Sequence, residues 1–258
     1  METMAQPETT FANELEVFQT EAESGIQFFY SYLTIHAVAG DHKEVHRLLN
    51  RAPLFWNTVL GALQTSTFIA LGRVFDQNST HNIDCLLQIA QSNIGIFSKE
   101  ALSGRKRRAS ANADEWLEEY LRDVHVPNAD DFRRLRRHAA KQRKLYEKNY
   151  RALRNQVFAH KELSAQGDIQ ALFAKTNIRE LQQLLVFLRR LHEALWQLYH
   201  NGRKPTLRPA RYSVKRIREQ PSPEQTGRAL HERLTHEIEV FLRDVAVEAQ
   251  QPPPPDWR

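Results

Sequence analysis

Three side chains near the middle of the chain have types and spacing suited to phosphate chemistry. They are Arg154, Asn155 and His160, within the run Leu153-Arg154-Asn155-Gln156-Val157-Phe158-Ala159-His160. Cleaving an RNA backbone without a metal needs a base for the 2′-hydroxyl proton and an acid for the leaving 5′-oxygen. It also needs positive donors for the charge that builds on the phosphate. Histidine suits the proton transfers because its ordinary pKa lies near neutrality. Arginine suits the phosphate because its planar fork donates two parallel hydrogen bonds. Asparagine adds a neutral donor or fixes the histidine tautomer.

The elements that must position these groups are helical. From Arg133 to Arg154 the chain holds ten Lys/Arg residues and one acid, Glu147. An apolar line runs through Phe132, Leu135, Ala139, Gln142, Tyr146, Asn149, Leu153, Val157 and His160, stepping by three or four. His160 therefore falls on the core-facing line and Arg154 at its edge. On one straight helix, six steps leave Arg154 and His160 roughly 120° apart and about 9 Å apart along the axis. Either the helix loosens before His160, or the working site joins side chains from two copies of the segment across a two-fold axis.

The remaining elements read as further helices. Thr10 is expected to cap a first helix to about Val38, with Leu15, Phe18, Ile26, Phe29, Leu33 and Ala37 inward. A short helix to about Arg51 follows, and Pro53 opens the next, where a first-turn proline is tolerated. The helix from Leu54 to about Gln77 ends in Arg73-Val74-Phe75-Asp76, so Arg73 and Asp76 are placed to pair on one face. That pair reads as a surface ion pair or as support for the site. Helices are expected over Ile83 to Ser92, after a Ser98 cap, and from Ala113 to Val124. The cluster Arg105-Lys106-Arg107-Arg108 reads as a solvated, mobile loop. Thr176 is expected to cap an apolar helix, Ile178 to Tyr199, central to the bundle. Gly202 to Arg218 carries seven basic residues and no acid, which reads as an extended linker or hairpin. Ser222 begins a last helix to about Ala249, and Pro252 to Pro255 form a stiff tail.

The fold class expected is all-α: an antiparallel helical bundle over 10–201, a basic linker over 202–221, a C-terminal helix over 222–250 and a proline-rich tail over 251–258. Few runs alternate with period two and glycine is scarce, at 9 residues in 258, which argues against a sheet protein. The formal charge of +5 and pI of about 9.4 favour polyanionic partners such as RNA, DNA or a membrane surface. A single cysteine, Cys85, excludes an internal disulfide framework and a multi-cysteine zinc site. It sits in an apolar helix and reads as a buried, inert thiol. No charged n-region precedes an apolar stretch, so no secretory signal is expected. Leu54 to Phe75 is interrupted by Asn57, Gln64 and Arg73, and reads as a buried helix rather than a membrane span. No membrane partner, metal or other cofactor is expected, and the expected location is cytoplasmic. His42 and His46 have the spacing of metal ligands but no third partner, and His231 and His236 have less claim.

The pattern Arg154-Asn155, four residues, then His160 resembles the R-N-x(4)-H form of the HEPN ribonuclease motif. The long basic helix, the alanine before the histidine, and Arg-Val-Phe-Asp ending an upstream helix resemble the AbiU-type abortive-infection branch. The likeness covers roughly Ala12 to His200. It implies an antiparallel helical bundle that dimerises with its motifs facing and cuts RNA without metal, in toxin–antitoxin and phage-defence systems. It further implies Arg154 on the scissile phosphate, His160 in proton transfer and Asn155 as positioning donor, with Arg73 and Asp76 in support. Lys144, Lys148, Arg151 and Lys161 are the accompanying candidate RNA contacts, and an antitoxin is a possible partner. HEPN toxins silenced by AMP transfer carry a tyrosine two positions after the histidine; this chain has Glu162 there. The alternative reading is a catalytically inactive helical module that binds nucleic acid or protein, resting on the basic segment Gly202–Arg218 and the last helix.

Overall fold

A computed structural model describes residues 5–159, 176–208, 212–220 and 229–249. Every regular element among them is helical, as the absence of period-two patterning predicts. One compact unit gathers residues 1–22 and 70–210, and a second gathers 23–69 and 211–258. Two long helices, α1 (Ala5–Asp41) and α3 (Pro53–Phe75), contribute residues to both.

The first unit is built on α7 (Ala129–Asn149). Asn128 caps it, accepting from the Asp130 and Asp131 N–H groups at 2.9 and 3.2 Å, and Asp131 accepts in return from Asn128 N–H. Its inward line holds from Phe132 to Tyr146, with Phe132, Leu135, Ala139, Gln142 and Tyr146 buried, while Asn149 at its end is half-buried. The partner helix is α9 (Ile178–Asn201), whose apolar stripe from Leu181 to Leu198 is buried. The two run antiparallel. The start of α7 and the end of α9 both pack on Phe97, through Phe132 and Tyr199. Gln142 bonds Gln183 at mid-length, and the end of α7 meets the start of α9, where Tyr150 Oη donates to Glu180 Oε2 at 2.9 Å. Helix α4 (Ile83–Ser92) lies along α7, with Asp84 paired to Arg143.

Several local expectations change. Thr10 is inside α1, and its hydroxyl bonds the Gln6 carbonyl instead of capping the helix. The cap of α9 is Asn177 rather than Thr176. The stretch after Ser110 divides into a 3-10 turn (Ala113–Glu115) and α6 (Leu117–Arg122). The basic cluster at 105–108 is not a loop but the last turns of α5 (Lys99–Ala109), where cations complement the helix dipole. Arg105 is drawn inward, donating to the Ile96 and Tyr199 carbonyls and pairing with Glu8 at 2.6 Å. Gly202 ends α9 in a left-handed conformation, φ 57°. A Cβ there would stand 2.5 Å from Val124, so only glycine fits.

The second unit holds α2 (Lys43–Arg51), α10 (Val214–Glu219) and α11 (Leu230–Glu248), with parts of α1 and α3. Ile35, Val38, Val45, Leu242 and Ala246 form its core, joined by Trp56, Leu60 and Leu63 of α3. Helix α3 is thus not the buried helix expected of its composition. Phe68, Leu71, Val74 and Phe75 are buried, but Leu54 and Phe55 are 83% and 60% exposed. Among the described residues it is the one helix long and apolar enough to cross a membrane. The supposed extended linker contains α10, held by Arg218, which forks onto Glu239 at 2.9 and 2.8 Å and reaches Asp41 at 2.6 Å. The expected helix start at Ser222 and the proline tail lie outside the described residues.

Candidate functional site

The site grows from the end of α7. Tyr150 interrupts the helix at φ −122°, with its side chain fully buried and its hydroxyl oxygen accepting from Asn177 N–H at 3.1 Å. Burial pushes its phenol above the ordinary range, so it stays a neutral donor toward Glu180. A single helical turn, α8 (Arg151–Leu153), follows, and from Arg154 to Ala159 the chain widens into a π-helical turn. The helix therefore does loosen before His160, which was one of the two geometric alternatives. Such wide turns are rare and recur at functional sites, because they turn side chains out of the regular helical register.

Arg154 points back onto the end of α3. Its Nη1 donates to Asn155 Oδ1 at 2.7 Å and lies 3.3 Å from Asp76 Oδ2. Arg151 Nε lies 3.6 Å from the other Asp76 oxygen. One carboxylate thus sits between two guanidinium groups, 13% exposed. Arg154 is 22% exposed, and its Nε is buried with no acceptor among the described residues. The arginine can lie there because residue 72 is glycine: a Cβ at Gly72 would stand 2.6 Å from Arg154 Nε. Gly72 also accepts the Asp76 N–H at 2.9 Å, so the same turn supports the carboxylate and leaves room for the guanidinium. Beneath them Tyr146 is fully buried and stacks on Phe75, centroids 5.4 Å apart. Burial first, and the neighbouring Asp76 charge second, hold its phenol neutral well above the usual range.

Of the residues singled out from sequence, Arg154, Asn155 and Asp76 come together, and Arg151 joins them. Arg73 does not. The expected Arg73–Asp76 pair is absent: Arg73 turns away to Glu21, 3.0 Å distant, and Asp76 turns to the arginines. Lys144 and Lys148 are exposed on α7. His160 and Lys161 lie outside the described residues. Sequence reasoning missed Gly72 and Tyr146. Gly72 carried a signal, since a glycine inside a long apolar helix costs about 1 kcal/mol relative to alanine and invites the question of what approaches it.

The other candidates resolve more simply. His42 pairs with Glu44 at 3.3 Å and lies 3.8 Å from Glu239. Among the described residues no group of three or more His, Cys, Asp or Glu is arranged to hold a metal. Cys85 is half-buried, and burial and Glu14 push its thiol up, away from the reactive thiolate. His231 is buried between the rings of Tyr30 and Tyr212.

No curated protein and no solved structure matches the chain. One family does: AbiU2, of the HEPN group, whose pattern matches residues 8–217 and so takes in both the site and the helices that build it. The chain belongs to the HEPN family of AbiU2 proteins.

Proposed function

We propose that the protein is a metal-independent endoribonuclease of the abortive-infection type. The observation that carries this reading is the placing of Arg154. It is held at a widened turn beside Asn155, over a glycine, by the Asp76 carboxylate, and its side chain stays 22% exposed. A scissile phosphate can accept from the exposed edge of this guanidinium. His160 moves the protons, and Asn155 orients either the phosphate or the imidazole. A dimer formed through the motif-bearing helices supplies two histidines, so that one acts as base and its counterpart as acid. The products then carry 2′,3′-cyclic phosphate ends, because the 2′-hydroxyl is the nucleophile available without a metal.

The test is cleavage of RNA by purified protein with chelator present, comparing wild type with Arg154→Ala and His160→Ala. The expected result is cyclic-phosphate ends from wild type and a loss of at least about 100-fold in each variant. Equal cleavage by all three removes the proposal.

One observation favours a second reading, a helical module that binds without chemistry: Asp76 and Asn155 already engage Nη1 of Arg154. Expression separates the two. Harmless wild-type protein, with His160→Ala changing nothing, supports binding alone.

A further inference from the structure

Arg133, Arg137, Lys141, Lys144 and Lys148 recur along α7 at steps of three or four. At about 100° per residue they fall within an arc of about 80°. The buried line from Phe132 to Tyr146 occupies the opposite side of the helix. All five cations are exposed. Arg133 pairs with Asp130, but among the described residues Arg137, Lys141, Lys144 and Lys148 meet no carboxylate. Off the arc, Arg134 and Arg143 are paired, with Asp131 and Asp84.

This arrangement works against the helix. Like charges three and four residues apart each destabilise it by a few tenths of a kcal/mol. Here four successive steps do so, and Glu147, the only acid within Arg133–Arg154, lies outside the arc. A multiply charged anion laid along the face relieves the repulsion. The steps rise about 4.5 to 6 Å each, comparable with the separation of successive phosphates along one nucleic-acid strand. No apolar side chain falls within the arc, so the face has nothing to insert into a bilayer.

We infer that the outer face of α7 is a track for the sugar-phosphate backbone of one RNA strand, with one cation to each phosphate. It grips independently of sequence and passes the strand toward Arg151 and Arg154. This rests on the ribonuclease reading for the nature of the strand, but not for the contact itself. A track of this kind fixes where an RNA lies and leaves the choice of sequence to other surfaces.

The test uses binding rather than cleavage. Single-stranded 2′-O-methyl RNA lacks the nucleophile and so cannot be cut. Its affinity is measured against salt for wild type, for Arg137→Gln/Lys141→Gln/Lys144→Gln/Lys148→Gln, and for a control with equal charge removed elsewhere, Lys43→Gln/Arg47→Gln/Arg233→Gln/Arg243→Gln. Counterion release predicts that the track variant flattens the slope of log affinity against log salt by about 3, and each single substitution by about 0.7. The control should leave the slope near its wild-type value. Equal flattening by both quadruple variants overturns the track, leaving only general attraction to a basic protein. An unchanged slope in the track variant, with lost binding to phosphatidylserine vesicles, overturns it in favour of a lipid surface. Wild-type protein that shows the expected slopes yet never cuts ordinary RNA removes the ribonuclease reading and leaves the track standing.

Discussion

Two arginines, one in each unit, are held in opposite ways. Arg218 engages all three of its nitrogens. Its Nε and Nη2 fork onto the Glu239 carboxylate and its Nη1 reaches Asp41, all within 3 Å. These partners raise its already high pKa and hold both carboxyls below their ordinary range. Arg154 is held by one edge. Nη1 serves both Asn155 and Asp76, the Asp76 contact is the longer at 3.3 Å, and Nε has no acceptor among the described residues. A guanidinium whose three nitrogens all bind carboxylates is a structural clasp. Arg154, bound through Nη1 alone among the described residues, is held more loosely. The number of engaged nitrogens separates the two holdings where charge and burial do not, for both side chains are mostly buried.

The sharpest way to break this contrast is to remove each arginine in turn. Arg154→Ala is expected to abolish cleavage and, because Arg151 still faces Asp76, to cost less stability than the loss of Arg218. Arg218→Ala is expected to keep cleavage while losing about 2 kcal/mol of stability, because Glu239 is left without its partner. Thermal melts read beside activity decide it, and the reverse pattern would undo the comparison. Gly72→Ala comes next. The added methyl intrudes on Arg154 Nε. Cleavage should fall about tenfold or more, while melting holds or rises, since alanine is the better helix former by about 1 kcal/mol. A variant that loses both together would mean that Gly72 serves packing alone.

The clasp also sets a pH dependence. Glu239 ionises below its ordinary value, chiefly through its hydrogen bonds to Arg218. Its stabilising contribution is therefore complete above the ordinary glutamate range and is lost as pH falls through the lowered folded value. Wild type should lose stability on acidification from about pH 5 downward, and Arg218→Ala should flatten that part of the profile. Parallel profiles would contradict this. The smallest effect belongs to Arg73→Ala. This exposed arginine pairs with Glu21, outside the site, so its loss should cost well under 1 kcal/mol and leave cleavage unchanged.

Helix by helix, much of the fold could be read from local chemistry. Ile83–Ser92 lies where the pattern places it, and Ser98 caps α5 as its position suggests. The inward line of α7 and the stripe of α9 follow from spacing alone, because burial of one face is a periodic property. What local pattern could not supply were partners chosen across the chain. Arg73 and Asp76 have ideal spacing for a pair, but such a pair is worth only tenths of a kcal/mol. Each is outbid by a tertiary partner, Glu21 in one case and Arg154 with Arg151 in the other. Arg105 was misread for the same reason, since a run of four basic residues gives no sign that one of them will turn inward to two carbonyls. The nearness of Arg154 and Asn155 could be read from the sequence; the cradle of Arg154 could not, because Gly72 and Asp76 lie some eighty positions earlier.

The first unit begins with the opening turns of α1, where Phe11, Leu15 and Phe18 are buried, and Phe11 packs edge-on against Phe97 and beside Tyr199. It then resumes only at residue 70. A shortened version that started there would keep every residue of the motif and its cradle and still lack one wall of the bundle. Whoever trims this protein to the unit that holds the motif must therefore carry the first two dozen residues along.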